Sequence, residues 1–175
     1  MTALHIECPD TLVDPTPVDI RELAAHKLAR LAPEYDGLAF LDAIKRGELP
    51  PPPIADLLGV DIGTIGRGRV TFTLRPAEAH YNPIGTVHGG VAATLLDTAM
   101  GCAVHSKLPK GVGYTTLDLS VRYVRPVTTD TGTVVATGTV VHLGRRTATA
   151  EAQLTQQSSG LLLATATSTL LVLRP

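Results

Sequence analysis

The stretch VAATLLDTAMGCAV, residues 91–104, decides how this chain folds. It is apolar on nearly all sides, through Val91, Ala92, Ala93, Leu95, Leu96, Ala99, Met100, Cys102 and Ala103. A helix with such a surface is buried, not laid on the outside of a domain. One narrow stripe departs from the pattern. Gly90, Thr94, Asp97, Thr98, Gly101 and His105 follow the i, i+3, i+4 rule and share a face of small and polar groups. That face has to meet something polar or something very close.

Strand patterns surround the helix. Upstream, Val70, Phe72 and Leu74 alternate with Thr71, Thr73 and Arg75, the period of a half-buried strand, and the Gly59 to Gly68 segment supplies turns and a preceding strand. Downstream, Leu117, Leu119, Val121 and Tyr123 alternate with polar residues, and Thr115 falls in phase with the apolar set, so its hydroxyl is expected to point inward. Further Val-, Thr- and Leu-rich runs cover Gly132 to Leu143, Arg146 to Gln156 and Leu161 to Leu173, with short links that predict an antiparallel meander. The expected class is α+β, an antiparallel sheet curled about one long central helix. One sheet cannot cover that helix fully, and the polar stripe and open sheet edge imply a partner subunit, hence a homodimer.

The N-terminal part reads as a helical extension. Thr16 can cap, Pro17 suits a first helical position, and Ile20, Leu23, Ala24, Leu28 and Leu31 recur at helical spacing. Leu38, Phe40, Leu41 and Ile44 mark a second helix stopped by Gly47, and Pro50 to Pro53 predict an extended linker. The chain thus divides into an extension and linker over 1–53 and a main domain over 54–175, a length that suits one core with an added segment.

Composition removes several function classes. No run reaches the length of a membrane span, and the N-terminus lacks the basic and apolar regions of a secretory signal, which points to the cytoplasm. Cys8 and Cys102 stand far apart without C-x-x-C spacing, against a disulfide framework or structural zinc. His80, His88 and His105 with Cys102 have no recognised ligand spacing, so no metal is expected, nor any other cofactor, because dinucleotide and P-loop patterns are also lacking; the absence of a G-x-S-x-G elbow argues against a serine hydrolase. A net charge of -1 and the scarcity of aromatics give nucleic acid nothing to hold.

The loop before the helix carries the chemistry. Asn82-Pro83-Ile84-Gly85-Thr86-Val87-His88-Gly89-Gly90, followed by Asp97 within Leu95-Leu96-Asp97-Thr98-Ala99 and later by Gly144-Arg145-Arg146-Thr147, resembles the signature of hotdog-fold acyl-CoA thioesterases of the phenylacetate-pathway type. The likeness spans roughly residues 54 to 173 and leaves the extension outside. It implies a helix wrapped by a sheet, dimers that often pair into tetramers, and hydrolysis of a coenzyme A thioester, with oxyanion donors and carboxylate drawn from opposite subunits. It further implies that Asn82 orients water or the thioester carbonyl, and that Thr115 stands near the carboxylate.

Physical chemistry gives the roles independent support. Thioester hydrolysis passes through an oxyanion that needs hydrogen-bond donors, and a helix N-terminus offers free N–H groups, so Gly89 N–H is the expected donor, with the Cβ-less backbone open to a close approach. A carboxylate amid apolar residues is costly unless paired or kept for chemistry, which makes Asp97 the expected general base or nucleophile. His88 is expected to position the loop, Gly90 and Thr98 to line the substrate, and Arg125, Arg145 and Arg146 to meet phosphates of coenzyme A. Two rival functions stand beside this one: an acyl-CoA hydratase or dehydratase, and a module that binds acyl-CoA without turning it over.

Overall fold

The computed structural model describes residues 24–175. The helix start expected at Thr16 and Pro17, the apolar positions Ile20 and Leu23, and Cys8 lie outside that range. The described elements are α1 (Ala24–Leu31), α2 (Gly37–Lys45), α3 (Pro53–Leu58), β1 (Val60–Gly66), β2 (Arg69–Leu74), α4 (Gly89–His105), β3 (Gly113–Thr116), β4 (Ser120–Tyr123), β5 (Val134–Leu143), β6 (Thr147–Gln156) and β7 (Leu162–Leu173). All strands join one antiparallel sheet in the order β1-β2-β5-β6-β7, with β3 and β4 both pairing along the outer edge of β7.

The sheet curls around α4 because its central strands present small side chains. Ala148, Ala150 and Ala152 of β6 are buried beneath the helix. In β5 there is no side chain at all at the closest point: a Cβ on Gly138 would lie 2.2 Å from the Ala99 carbonyl oxygen. Leu95, Leu96, Met100 and Val104 of α4 are then buried against Val70, Phe72, Leu154 and Leu170. Each large apolar side chain so buried contributes roughly 1.5–3 kcal/mol, which keeps the sheet wrapped.

The expected meander holds for β5, β6 and β7 only. Residues 113–123 pair with the far side of β7 instead of with β5, and they form two strands, not one. Thr116 stands opposite Leu170 but Ser120 opposite Thr167, so four steps on one strand match three on the other. The extra residue is a bulge at Leu117 and Asp118, whose N–H groups both reach the Thr169 carbonyl, at 2.9 and 3.4 Å, while Thr169 N–H donates to Asp118 Oδ1 at 3.1 Å. A one-residue slip exchanges the faces of a strand. Tyr114 and Thr116 therefore point at α4, Thr115 is exposed, Leu117 and Leu119 are 57% and 37% exposed, and the inward phase resumes at Val121.

The N-terminal helices are built into the same body. Asp36 caps α2 by accepting the Ala39 N–H, and Gly47, at φ 74°, ends it. Gly37 N–H donates to the Leu108 carbonyl at 3.0 Å, in a spot where any Cβ would strike the His105 carbonyl. Leu41 joins the main core, while Leu28, Phe40, Ala43 and Leu49 make a smaller one. The expected extended linker stops short: Pro52 caps a helix that Pro53 begins, since a proline ring is preset for a first helical turn. That short helix, α3, went unforeseen.

Candidate active site

The loop before α4 is organised from within. Asn82 Oδ1 accepts the N–H groups of Ile84 and Thr86, at 3.1 and 3.2 Å, and its amide donates to Thr86 Oγ1 at 3.1 Å. Asn82 is thus the loop's internal clamp, with one amide N–H left over. His88 is the N-cap of α4: its Nδ1 accepts Gly90 N–H at 2.8 Å, and its own N–H donates to the His80 carbonyl at 2.7 Å. Val91 N–H turns back to the His88 carbonyl at 2.9 Å. Of the first three N–H groups of the helix, the Gly89 N–H is the one with no acceptor among the described residues.

Gly89 is glycine for a reason other than the one expected. The place its Cβ would take is filled by Tyr123, whose ring carbon Cζ would stand 3.0 Å away and whose hydroxyl donates to the Gly89 carbonyl at 2.8 Å. A Cβ there would meet the tyrosine, and the open approach lies along the N–H instead. Gly89, Asn82, Thr86, Tyr123 and Arg125 line a cleft of about 310 Å³. Tyr123 reads in the sequence as one more apolar strand residue, and nothing in that pattern points to its bond with the helix.

Asp97 lies eight residues along α4. It is half-buried in the single chain, less enclosed than the apolar run suggests. Its Oδ1 accepts a hydrogen bond from Thr116 Oγ1 at 3.0 Å. Thr115, the residue expected beside it, is exposed. The bulge explains the exchange: an alternation read in phase with Leu117 through Tyr123 carries the parity of β4 across a break and assigns the wrong face of β3.

The rest of the stripe turns out to be self-satisfied. Thr94 Oγ1 donates to the Gly90 carbonyl at 2.9 Å and Thr98 Oγ1 to the Thr94 carbonyl at 2.7 Å. Gly101 admits Tyr114, whose hydroxyl would lie 2.7 Å from a Cβ there. Beneath, burial pushes the Cys102 thiol up to about 12 and the Tyr114 phenol well above its usual value. Both stay protonated at neutral pH, so Cys102 is not a nucleophile.

The three arginines do not converge within one chain. Arg125 donates to the Leu162 carbonyl at 2.7 Å at the start of β7, whereas the Arg146 carbonyl accepts from Val172 N–H near its end. Ten residues of strand separate those ends by about 33 Å. Arg145 and Arg146 are exposed on the turn between β5 and β6.

Comparison with known proteins converges on one family. Residues 84–163 match the Thioesterase superfamily. Human acyl-coenzyme A thioesterase 13 is 31% identical over 97 residues, 55% of this chain and 68% of that protein. A Halobacterium salinarum protein called "Putative esterase" is 49% identical over 103 residues, 56% of this chain and 66% of its own length. The chain thus spans about two thirds of the length of these curated relatives. Among solved structures, a phenylacetic acid degradation-related protein of Ralstonia eutropha JMP134 superposes with a TM-score of 0.68 at 30% identity, covering 74% of this chain and 97% of that one. The E. coli PaaI protein shares the fold, with a TM-score of 0.67 at 24% identity over 79% of this chain and 96% of its own. On the motif, the wrapped helix and these likenesses together, the chain belongs to the thioesterase superfamily, in its hotdog-fold branch of acyl-CoA thioesterases and PaaI-like proteins.

Proposed function

We propose that the protein hydrolyses a coenzyme A thioester to the free acid and coenzyme A, as a homodimer whose active sites each draw on both subunits. The observation that carries this reading is the separation of its two chemical elements on one helix. Asp97, held by Thr116, and the unpaired Gly89 N–H stand eight residues apart, about 12 Å along the axis at 1.5 Å per residue. A thioester carbonyl needs its oxyanion donor and its attacking group each within about 3 Å of one reacting centre. One copy of α4 cannot supply both, whereas two copies side by side in opposite directions can.

In that arrangement the Gly89 N–H and the positive end of α4 stabilise the oxyanion, and the partner subunit's Asp97 takes a proton from water as the water oxygen adds to the carbonyl carbon. Collapse of the tetrahedral species breaks the C–S bond, and the leaving thiolate recovers the proton from the carboxyl group. The same carboxylate is alternatively placed to attack the carbonyl itself, expelling the thiolate and leaving a mixed anhydride for water to cleave. In both courses His88 and Asn82 hold the loop from which Gly89 N–H projects. The exposed Leu117 and Leu119 beside β3 supply apolar surface for the subunit contact.

The test is thiol release from a panel of aliphatic and aromatic acyl-CoAs, with wild type and Asp97→Ala side by side. Hydrolysis by wild type and loss of at least a hundredfold in the variant are expected. Binding without thiol release removes the enzyme reading; an Asp97→Ala variant as fast as wild type removes Asp97 from the mechanism.

A further inference from the structure

A cavity of about 350 Å³ lies between α4 and the N-terminal helices. One wall is the stripe of α4, with Thr94, Thr98 and Cys102; the other comes from α2 and α3, through Phe40, Ile44 and Leu58. These latter residues precede the segment 84–163 that matches the superfamily model. The cavity also adjoins Asp97. Tyr114 lines it, and Thr116, which bonds Asp97, is the next residue on the same face of β3, one step of about 7 Å along the strand.

The walls are mostly apolar and spend most of their polar groups internally, with the His105 ring and the Asp61 carboxylate as the exceptions. The threonine hydroxyls donate to helix carbonyls, and the rim residue Lys45 to the Gly63 carbonyl. No fully buried side-chain nitrogen or oxygen among the described residues lacks a partner. Over most of its length such a lining rewards hydrocarbon, which gains by leaving water. At about 30 Å³ per small group in liquid, it has room for about a dozen heavy atoms.

We propose that this cavity receives the acyl part of the thioester, and that α2 and α3 set its limit at an apolar acyl group of up to about a dozen carbon atoms. The assignment rests on the hydrolase reading, with the reacting carbonyl at Asp97 and the acyl chain running inward past Thr98 and Tyr114. Ala55, on the cavity side of α3 and half-buried, is the position at which the cavity can be filled in steps.

Two measurements test it on the full chain. The first is kcat/KM for straight-chain acyl-CoAs from two to sixteen carbons in wild type, Ala55→Leu and Ala55→Trp. The second is the affinity for decanoate by calorimetric titration, which requires no turnover. The expected profile peaks near ten carbons and falls at least tenfold by sixteen, the optimum shortens progressively in the two variants, and decanoate binds Ala55→Trp at least tenfold more weakly. Thiol release with the same chain-length profile in all three proteins, and unchanged decanoate affinity, overturns the cavity assignment and leaves the hydrolase reading standing. Decanoate binding that weakens in Ala55→Trp, with no thiol release from any acyl-CoA, supports the pocket and removes the hydrolase. Ala55→Leu adds little bulk, so it reports on the pocket even if the tryptophan variant fails to fold.

Discussion

Replacing Thr116 and Thr115 in turn by valine separates two adjacent residues whose roles the sequence and the structure assign differently. Thr116 donates to Asp97 Oδ1 at 3.0 Å, while Thr115 faces outward. Valine preserves the branched shape and the strand preference of threonine and removes only the hydroxyl. A hydrogen bond to a charged group contributes about 1.5–3 kcal/mol, and each 1.36 kcal/mol of barrier is a factor of ten in rate. If the bond holds the carboxylate in its reactive orientation, Thr116→Val is expected to lower kcat by about 10- to 150-fold with little change in KM, and Thr115→Val to stay within about twofold of wild type. The assay is thiol release from a single acyl-CoA across a concentration series, with thermal unfolding of each variant to show that the fold is retained. A large loss in Thr115→Val together with wild-type turnover in Thr116→Val would refute the register derived from the bulge and the positioning role with it.

Two further outcomes follow from the packing. Gly138→Ala drives a methyl group to within 2.2 Å of the Ala99 carbonyl oxygen, backbone that cannot give way without shifting α4, so a loss of about 3 kcal/mol and a melting point lower by roughly 6–12 °C are expected. Gly113→Ala, whose Cβ would find its nearest neighbour at 3.9 Å, is the control, and equal melting points for the two would sink the close-approach argument. His105, packed between Phe40 and Tyr114 at 5.5 Å from each, is held by burial below its ordinary value of 6.5, with the Asp36 charge opposing the shift. The unfolded chain therefore takes up this proton at higher pH than the folded one, and stability present above about pH 6.5 is lost as the pH falls through and below that value. His105→Phe keeps a ring in the stack and removes the titration, so its melting point should fall less between about pH 7.5 and about pH 5 than that of wild type; identical slopes would show that His105 is not the group responsible.

The parts of this molecule that the sequence discloses are those set by a long unbroken period. Fourteen apolar-rich positions from Val91 to Val104 suffice to announce a buried helix, and β5, β6 and β7 have the regular alternation of strands with one covered face. What stays hidden depends on single-residue geometry. The bulge at Leu117 and Asp118 leaves an apparently continuous alternation from Thr115 to Tyr123, and only the pairing with Thr169 reveals that the faces have changed over. In the same way Pro50 to Pro53 looks extended until Pro53 is seen at the head of α3. Proline suits both a polyproline stretch and a first helical turn, so local preference cannot choose between them; packing against β1 does.

The stripe on α4 shows most clearly how a correct pattern can mislead about chemistry. Thr94, Thr98, Asp97, Gly101 and His105 do share one side of the helix, yet they do not form one polar surface. Thr94 and Thr98 return their hydroxyls to the preceding turn and present methyl groups, Gly101 makes way for Tyr114, and Asp97 alone keeps an outward charge, held by Thr116. A face that looks hydrophilic in sequence is in fact a mostly apolar wall with the His105 ring at one end and one carboxylate at its border. That combination suits a substrate with a hydrocarbon tail and a reactive carbonyl at its head, because the tail gains from leaving water while the carbonyl stays within reach of the charged group. On the proposed mechanism the donor end of α4, about 12 Å away, comes from a second copy. The same helix therefore carries both proposals, a site divided between subunits and an apolar group as the part of the substrate it accepts.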